Sequence, residues 1–324
     1  MRRSVCVIAT CTAFALPPLP AAGAAALTPE GINAAEYNGG PLPDDQSAIT
    51  AKVQILLDRI GASPGVIDGY LGENVEKAVR GAEIMLGLRE DGVFEEDVWR
   101  RISADQSPVI VRHTISDADV SDIVAPLPDD YAALAERDWL GFTSPAEKIA
   151  EKFHMDIDFL EQLNPDADFS EAGTAIWVVD PLENVDTAVV RIVVDKPTQR
   201  LLVWDENKSL VASYPVTIGS DSLPSPEGTM EVKAVATEPT YSYRPDVNFQ
   251  QGGNAEALTL PPGPNGPVGI VWIDLSKPTY GLHGSPEPAE IDKTYSHGCV
   301  RMTNWDAREL AALVSRGVPV EFAE

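Results

Sequence analysis

The chain has 324 residues, of which 24 are Lys or Arg and 50 are Asp or Glu, so its formal net charge is −26. Hydrophobic residues make up 44% and charged residues 23%, which is typical of a folded globular protein and excludes a largely disordered one. The length allows two or three compact domains. An acidic surface repels phosphate backbones and anionic lipid head groups, so the composition argues against a nucleic-acid-binding protein.

The first 26 residues have the pattern of a secretory signal peptide. Arg2 and Arg3 precede an apolar run from Val5 to Leu16, and small residues at Ala24-Ala25-Ala26 offer a cleavage site. The apolar run is shorter than the roughly 20 residues that a transmembrane helix needs, and no other stretch predicts a membrane span. We therefore expect an exported protein, with the periplasm as its compartment.

Cleavage there would leave one cysteine in the chain, Cys299, because Cys6 and Cys11 lie in the leader. A lone cysteine forms no internal disulfide, and an unpaired thiol in an oxidising compartment is either buried or used chemically. Cys299 is therefore a candidate nucleophile. A buried cysteine that packs as a small hydrophobic residue is an equally good interpretation at this point.

The N-terminal third predicts a flexible lead-in followed by a helical domain. Residues 27–44 are rich in Ala, Gly, Pro and Asn, which favours irregular structure. Residues 45–105 contain two apolar stripes with helical spacing and a short third helix, separated by Gly-containing turns. They resemble the three-helix peptidoglycan-binding domain at Gln54, Leu56, Gly61, Pro64-Gly65, Asp68-Gly69, Gly72, Ala78-Val79, Leu88, Asp91-Gly92 and Trp99. Core packing and turn formation would explain the same residues without any binding role.

Residues 106–183 predict a connector and a small α+β module. The stretch from Ser116 to Asp130 is rich in aspartate and contains two prolines, so it indicates an acidic connector. Ile149 to Phe153, Leu163-Asn164-Pro165, Gly173 and Ile176 together resemble a LysM module, a small glycan-binding fold. The opening strand with a Gly-Asp-Thr turn, which that family usually has, is missing here.

From residue 187 to 324 the pattern changes to strands rich in Val, Ile and aromatic residues. Only one strong helix is predicted, with Thr303 as its N-cap and Leu310 and Leu313 facing inward. We therefore expect a mostly-β, sandwich-like domain with one main helix. The predicted fold class is a multidomain chain in which this domain follows the two smaller modules.

Two clusters near the C-terminus carry residues capable of catalysis. They are His283-Gly284-Ser285 and, after ten intervening residues, Ser296-His297-Gly298-Cys299-Val300-Arg301-Met302. A free thiol is mostly protonated near neutral pH, and an imidazole within hydrogen-bond reach can take its proton and later return one to a leaving amine. The amides of Gly298 and Cys299 could face a developing oxyanion.

These clusters resemble the signature of the L,D-transpeptidase catalytic domain over roughly Val189 to Phe322, supported by Ser225 to Thr229 and Pro262 to Pro267. The resemblance implies that Cys299 is the nucleophile and that His283, oriented by the Gly284 carbonyl, is the general base and acid. It also implies an oxyanion site around His297, Gly298 and Cys299, with Ser285 and Ser296 among the substrate-binding residues.

For Arg301 the resemblance implies a contact with a substrate carboxylate, and a local salt bridge is the alternative. The sequence departs from the family at two positions. Many members have Gly near the position of Asp292, and some have Asn where this chain has Arg301. His283, His297 and Cys299 could instead hold zinc, but their spacing fits the thiol family better. A sortase is a further thiol alternative, although its His-to-Cys separation is usually longer.

The function that the resemblance implies is L,D-transpeptidation of peptidoglycan without a cofactor. Cys299 would form a thioester with a tetrapeptide stem and transfer it to an amine of a second stem, giving a 3-3 cross-link, or of a wall-attached protein. With water as acceptor, the same fold would be a carboxypeptidase or hydrolase. A non-catalytic wall-binding protein is the third hypothesis. The expected partners are peptidoglycan stem peptides and glycan, and neither nucleic acid nor a membrane.

Overall fold

The computed structural model describes residues 27–182, 187–220, 223–247 and 249–324. The predicted signal peptide, residues 1–26, lies outside the described residues. The α-helices are α1 Pro29–Ala34, α2 Ala48–Arg59, α3 Glu73–Leu86, α4 Glu96–Ile102, α5 Asp117–Val120, α6 Tyr131–Ala135, α7 Pro145–Lys152, α8 Ile157–Leu163 and α9 Asn304–Leu313. A turn of 3₁₀ helix covers Pro288–Glu290.

The strands are β1 Ile110–Thr114, β2 Ala175–Val179, β3 Val189–Asp195, β4 Arg200–Asp205, β5 Leu210–Pro215, β6 Gly228–Thr237, β7 Tyr241–Tyr243, β8 Leu258–Leu260, β9 Val271–Leu275, β10 Gly281–His283, β11 Val300–Arg301 and β12 Pro319–Ala323. They form an eight-stranded sheet in the order β11-β10-β9-β6-β12-β3-β4-β5 and two two-stranded sheets, β1-β2 and β7-β8. Among the helices in these ranges, none has the length and apolar character that crossing a membrane requires.

The eight-stranded sheet is curled and mixed, which differs from the two facing sheets of the predicted sandwich. Strand β6 explains the difference, because its first residues pair with β12 and its last residues pair with β9, with a register shift between Val232 and Ala234. Such an irregularity bends a strand and increases its twist. One long strand therefore connects two differently oriented halves, and α9 packs its apolar face into the core between them.

The curl brings the two edges of this sheet together. Just beyond β5, the amide of Thr217 donates to the carbonyl of Arg301 at 3.0 Å, and the amide of Arg301 donates to the carbonyl of Thr217 at 2.9 Å. A further bridge pairs Gly219 with Ser296. The segment that contains Cys299 is thus held between β10 on one side and the extension of β5 on the other.

The N-terminal region contains the three predicted helices, with a side-chain cap at the start of α2 and a glycine at the end of α3. The Ser47 hydroxyl accepts a hydrogen bond from the amide of Thr50 at the start of α2, which satisfies one of the helix's unpaired donors. Helix α3 ends at Gly87, whose φ of +66° lies in the left-handed region that glycine adopts easily. These helices bury the apolar stripes that the sequence predicts.

The prediction of a flexible lead-in at residues 27–44 is wrong. Helix α1 lies within it, capped by Thr28, and Ile32 is completely buried. The Asn33 side chain also accepts hydrogen bonds from the amides of Val109, just before β1, and Ile110, its first residue. The prediction was based on the Ala, Gly and Pro content of this segment. It gave no weight to two large apolar residues, Ile32 and Leu42, which are buried in the core.

The helical domain and the module after it share one hydrophobic core, although the sequence suggests two separate units. A single cluster of buried side chains contains residues from α2 and α3 together with residues from α7, α8 and β2. The backbone joins them as well, because the amide of Ile67 donates to the carbonyl of His154 and that of Asp156 donates to the carbonyl of Ile67. Short helices bury enough apolar surface only when they pack together.

Candidate active site

Strand pairing brings the two predicted catalytic clusters to one place. Strands β10 and β11 are parallel neighbours, with Leu282 opposite Val300 and His283 opposite Arg301. Cys299 comes directly before β11, so it lies beside the strand that ends at His283. Both residues line one cavity of about 170 Å³, together with His297 and Arg301. In the fold, the Cys299 thiol and the His283 imidazole therefore line a common cleft.

His283 is held in one tautomer by its neighbour. Its Nδ1 lies 2.7 Å from the carbonyl oxygen of Gly284. A carbonyl can only accept, so Nδ1 carries the hydrogen and Nε2 has a free lone pair in the neutral ring. The ring is buried, 4% exposed, and stacks on Trp272 with a centroid distance of 5.4 Å.

The protonation state of His283 is set mainly by this burial. Desolvation lowers its pKa to about 4, with a further lowering from the positive charge of Arg301, although the hydrogen bond to Gly284 acts in the opposite direction. His283 is therefore a neutral imidazole at neutral pH. A neutral ring with an unprotonated Nε2 can accept a proton, as a general base must.

Cys299 is partly exposed at the cavity, and its Sγ lies 3.6 Å from the carbonyl oxygen of Thr279. Burial raises the pKa of the thiol, while the backbone of Gly281 and the charge of Arg301 lower it by less. The thiol is therefore protonated at neutral pH. A neutral thiol and a neutral imidazole that line one cavity fit proton transfer during nucleophilic attack.

The backbone around Cys299 is fixed by two serine hydroxyls. Ser296 Oγ donates to the carbonyl of Cys299 and accepts from the amide of Gly298 at 3.1 Å. Ser225 Oγ donates to the carbonyl of Gly298 at 2.9 Å and accepts from the amide of Gly219 at 2.9 Å. Gly298 has φ +112°, and an added Cβ would lie 3.0 Å from the Tyr280 ring.

This arrangement corrects the prediction for the oxyanion site. The amide of Gly298 was expected to face the oxyanion, but in the structure it donates to the Ser296 hydroxyl. Of the two predicted amides, that of Cys299 therefore stays the candidate. Ser296 is buried and donates a hydrogen bond to the backbone carbonyl of Cys299, so it supports the structure of the site.

His297 is exposed at the edge of the cleft. Its ring stacks on Phe249 with centroids 3.9 Å apart and planes 6° apart. Burial of part of the ring and the charge of Arg301 both lower its pKa. His297 is thus a neutral aromatic ring that lines the cavity together with Cys299.

Arg301 and Ser285 extend the site into a neighbouring cavity of about 560 Å³, which both residues line. Of the carboxylates in the described ranges, none lies within 4.0 Å of the Arg301 guanidinium, so the predicted alternative of a local salt bridge is not present there. Ser285 Oγ accepts a hydrogen bond from the amide of Glu287 at 3.3 Å and supports the turn after His283. Across the described residues, no group of three or more His, Cys, Asp or Glu side chains is arranged to hold a metal ion.

Several aromatic residues of the cavity were not predicted. Tyr241 and Phe249 come from the β7 region, Trp272 from β9, and Tyr131 from α6, which directly follows the predicted acidic connector, Ser116 to Asp130. At this point of the chain, an aromatic residue followed by Ala-Ala-Leu-Ala is the sequence signal for a short packed helix. No sequence pattern indicated that this helix faces the catalytic cleft.

Comparisons with known proteins identify two parts of the chain. Residues 189–322 match the L,D-transpeptidase catalytic domain family, and residues 46–102 match a peptidoglycan binding domain family. A protein of Bacillus licheniformis named L,D-transpeptidase YkuD is 31% identical over 177 residues, which cover 54% of this chain and 92% of that protein. The protein of Escherichia coli named L,D-transpeptidase YbiS is 26% identical over 63% of this chain and 70% of its own length.

Among solved structures, an L,D-transpeptidase from Mycobacterium smegmatis aligns with 48% of this chain and 75% of its own length, with 17% identity and a TM-score of 0.35. That likeness is too weak to support an argument about the site. The sequence relationship to the Bacillus protein spans nearly all of that relative. With Cys299 and His283 lining one cleft on that domain, the chain belongs to the L,D-transpeptidase family, whose members act as enzymes of the bacterial cell wall.

Proposed function

We propose that Cys299 of this L,D-transpeptidase attacks the carbonyl of the third residue of a peptidoglycan tetrapeptide stem. Nε2 of His283 takes the thiol proton and delivers a proton to the departing amine of the terminal D-alanine, so the peptide bond breaks as the thioester forms. An amine of a second stem then attacks the thioester and restores the thiol. The observation that supports this most is the shared cavity of Cys299 and His283.

The direction of both pKa shifts supports a general-base mechanism. Burial keeps His283 neutral and Cys299 protonated at rest, so the proton must move from Sγ to Nε2 as the carbonyl is attacked. The amide of Cys299 is the proposed oxyanion donor, since that of Gly298 is engaged by Ser296. The Gly284 carbonyl orients the imidazole and stabilises the imidazolium that forms.

The other parts of the chain fit a role at the wall. We assign to residues 46–102, which match the peptidoglycan-binding family, retention of the enzyme on its polymeric substrate, which would raise the effective substrate concentration. Glycan binding by the LysM-like residues, export by the predicted leader, and a periplasmic location belong to the same proposal. A wall-attached protein as acceptor is a further possibility that an acceptor screen would test.

Intact-protein mass spectrometry tests the nucleophile. The full chain is incubated with a carbapenem and separately with a purified tetrapeptide fragment. We expect a covalent adduct in each case in the wild type, and no adduct in Cys299→Ala. His283→Gln should fold but acylate slowly, because the thiol then lacks its base. An adduct that persists in Cys299→Ala, or a wild type that forms none, would contradict the proposal.

The products of the tetrapeptide reaction identify the acceptor. Cross-linked dimers indicate transfer to an amine, whereas tripeptides alone indicate hydrolysis of the thioester by water. We expect dimers, with the amount rising when amine acceptor is added. A product mixture without dimers at any acceptor concentration would assign the enzyme to the hydrolytic alternative.

A further inference from the structure

A segment outside the catalytic domain forms part of the substrate cleft. The catalytic family matches residues 189–322, yet Tyr131 of α6 lines the cavity of Cys299. The same residue lines the adjoining cavity of about 560 Å³, to which residues 126–129 also contribute. Tyr131, Pro267 and Arg301 border both cavities, so they lie where the two spaces meet.

Hydrogen bonds to the β7–β8 region fix the position of α6. The amide of Tyr131 donates to Gln251 Oε1 at 3.2 Å, and Gln251 Nε2 donates to the carbonyl of Asp129 at 2.8 Å. Asp130 caps the helix through the amide of Ala133 and accepts from Asn254 Nδ2 at 3.0 Å. The chain is therefore hydrogen-bonded to the catalytic domain at Asp129, Asp130 and Tyr131, at the start of α6.

The Tyr131 ring is packed, whereas its hydroxyl is available to a ligand. The ring makes edge-on contacts with Tyr243 at 5.3 Å, with Tyr241 at 6.1 Å and with Phe249 at 6.1 Å between centroids. Within the described ranges the Tyr131 hydroxyl makes no hydrogen bond, in contrast to the Tyr243 hydroxyl, which donates to the carbonyl of Asn254 at 3.1 Å. Burial raises the pKa of Tyr131, and the nearby charge of Arg301 acts to lower it.

The spacing of residues along the chain suggests which group of a substrate Tyr131 and Arg301 would bind. Cys299 and Arg301 are two residues apart, so at most roughly 7 Å of chain separates them, and both line the same cavity. In the proposed reaction Cys299 attacks the last peptide bond of the stem, so one residue of extended peptide, roughly 3.5 Å, separates the attacked carbonyl from the terminal carboxylate. A guanidinium and a phenol hydroxyl on that side can both donate to it.

We propose that Tyr131 is a specificity-determining residue that, together with Arg301, binds the terminal carboxylate of the donor stem. This inference rests on the proposed function and adds to it a residue supplied by the connector between the wall-binding region and the catalytic domain. It predicts that the enzyme distinguishes a free stem terminus from a blocked one, and that the distinction depends on the Tyr131 hydroxyl.

The test compares Tyr131→Phe with wild type on two substrates, a tetrapeptide with a free C-terminal carboxylate and the same peptide as its C-terminal amide. The full-length chain is used, and kcat and KM are measured for formation of the thioester. On the free acid, Tyr131→Phe should raise KM five- to tenfold with little change in kcat, because the hydroxyl contributes binding in both ground and transition states. On the amide, the variant and wild type should have the same KM.

Tyr243→Phe is the matched control, since it removes a hydroxyl from the same aromatic cluster that is bonded within the protein. We expect Tyr243→Phe to lower thermal stability and to change KM and kcat equally for both substrates. The inference is overturned if Tyr131→Phe equals wild type on the free acid, or if it weakens both substrates to the same extent. Wild type that turns over neither peptide would instead refute the proposed function.

Discussion

Lys77 Nζ lies 2.6 Å from Oδ2 of Asp292 and joins the peptidoglycan-binding region to the catalytic domain. Lys77 belongs to α3, and Asp292 lies in the loop between His283 and Cys299. Asp292 has φ +68°, a left-handed conformation that glycine adopts most easily, which accounts for the Gly expected from the family near this position. Here Asp292 adopts this strained backbone conformation, and its side chain forms an ion pair with Lys77 of the peptidoglycan-binding region.

Lys77→Ala should destabilise the protein by about 2–3 kcal/mol, because a carboxylate that is only 1% exposed would lose its closest cation. Burial already raises the pKa of Asp292 against the opposing effect of Lys77, so part of the loss will be relieved by protonation. Urea unfolding at pH 7.5 measures the free energy of unfolding. Glu73→Ala is the control, since that exposed side chain lies 3.8 Å from the same lysine and should matter little. Equal effects of the two substitutions would contradict the assignment.

Asp306→Asn should stabilise the protein at alkaline pH. Asp306 of α9 is buried with no partner for Oδ2 among the described residues, and it interacts with Asp58 and His154 from other elements and with Glu309 of its own helix. Burial, followed by the charge of Asp58, raises its pKa to about 7, whereas Thr303 and His154 lower it.

The sign of this effect follows from the raised pKa. Protonated Asp306 favours the folded state below the unfolded pKa of about 3.9, and this contribution is lost as the pH rises through about 7. Asparagine is neutral throughout, so the variant should exceed wild type by roughly 1–4 kcal/mol at pH 8 and match it near pH 4. Unfolding by urea at both pH values checks this, and a difference that does not change with pH would refute it.

Formation of the acyl-enzyme should be insensitive to pH between about 5.5 and 8. His283 must be neutral to accept the thiol proton, and its pKa of about 4 places the acidic loss of activity well below the usual range for histidine. The burial-raised pKa of Cys299 means that a further increase in rate begins only at alkaline pH. The second-order rate constant for carbapenem acylation, measured from pH 3.5 to 9.5, checks the profile. A midpoint near pH 6.5 would show that the imidazole is not desolvated as the structure indicates.

Gly298→Ala should reduce acylation by roughly 100-fold, since a displacement of about 1 Å at the nucleophile has effects of this size. Its φ of +112° is unfavourable for alanine, and the new Cβ would lie 3.0 Å from Tyr280, beside the cleft. Gly317→Ala is a control with similar backbone strain, φ +93°, and open space around the added carbon. Both variants should lose some thermal stability, but only Gly298→Ala should lose acylation. Similar acylation rates in the two would contradict the role of Gly298.

The chemistry of the site could be predicted because its residues are close in sequence. His283 and Cys299 are brought together by neighbouring parallel strands, and the turn and helix signals around them are local, as with Thr303 at the start of α9. The Gly284 carbonyl acts on the adjacent imidazole, which also requires no knowledge of distant residues. A short-range sequence pattern that resembles a known family was therefore enough to propose which groups react.

Tertiary structure decided what depends on long-range packing. Local composition made residues 27–44 a predicted lead-in, but the burial of Ile32 made them part of the core. Tyr131 lies in the active-site cleft because Gln251, 120 residues away, holds its backbone. The Ser296 hydroxyl accepts a hydrogen bond from the amide of Gly298, which the sequence pattern alone does not indicate. The sequence determined which groups can react, through residue type and local register, whereas the fold determined which groups surround them, because packing and hydrogen bonds between distant segments depend on the whole chain.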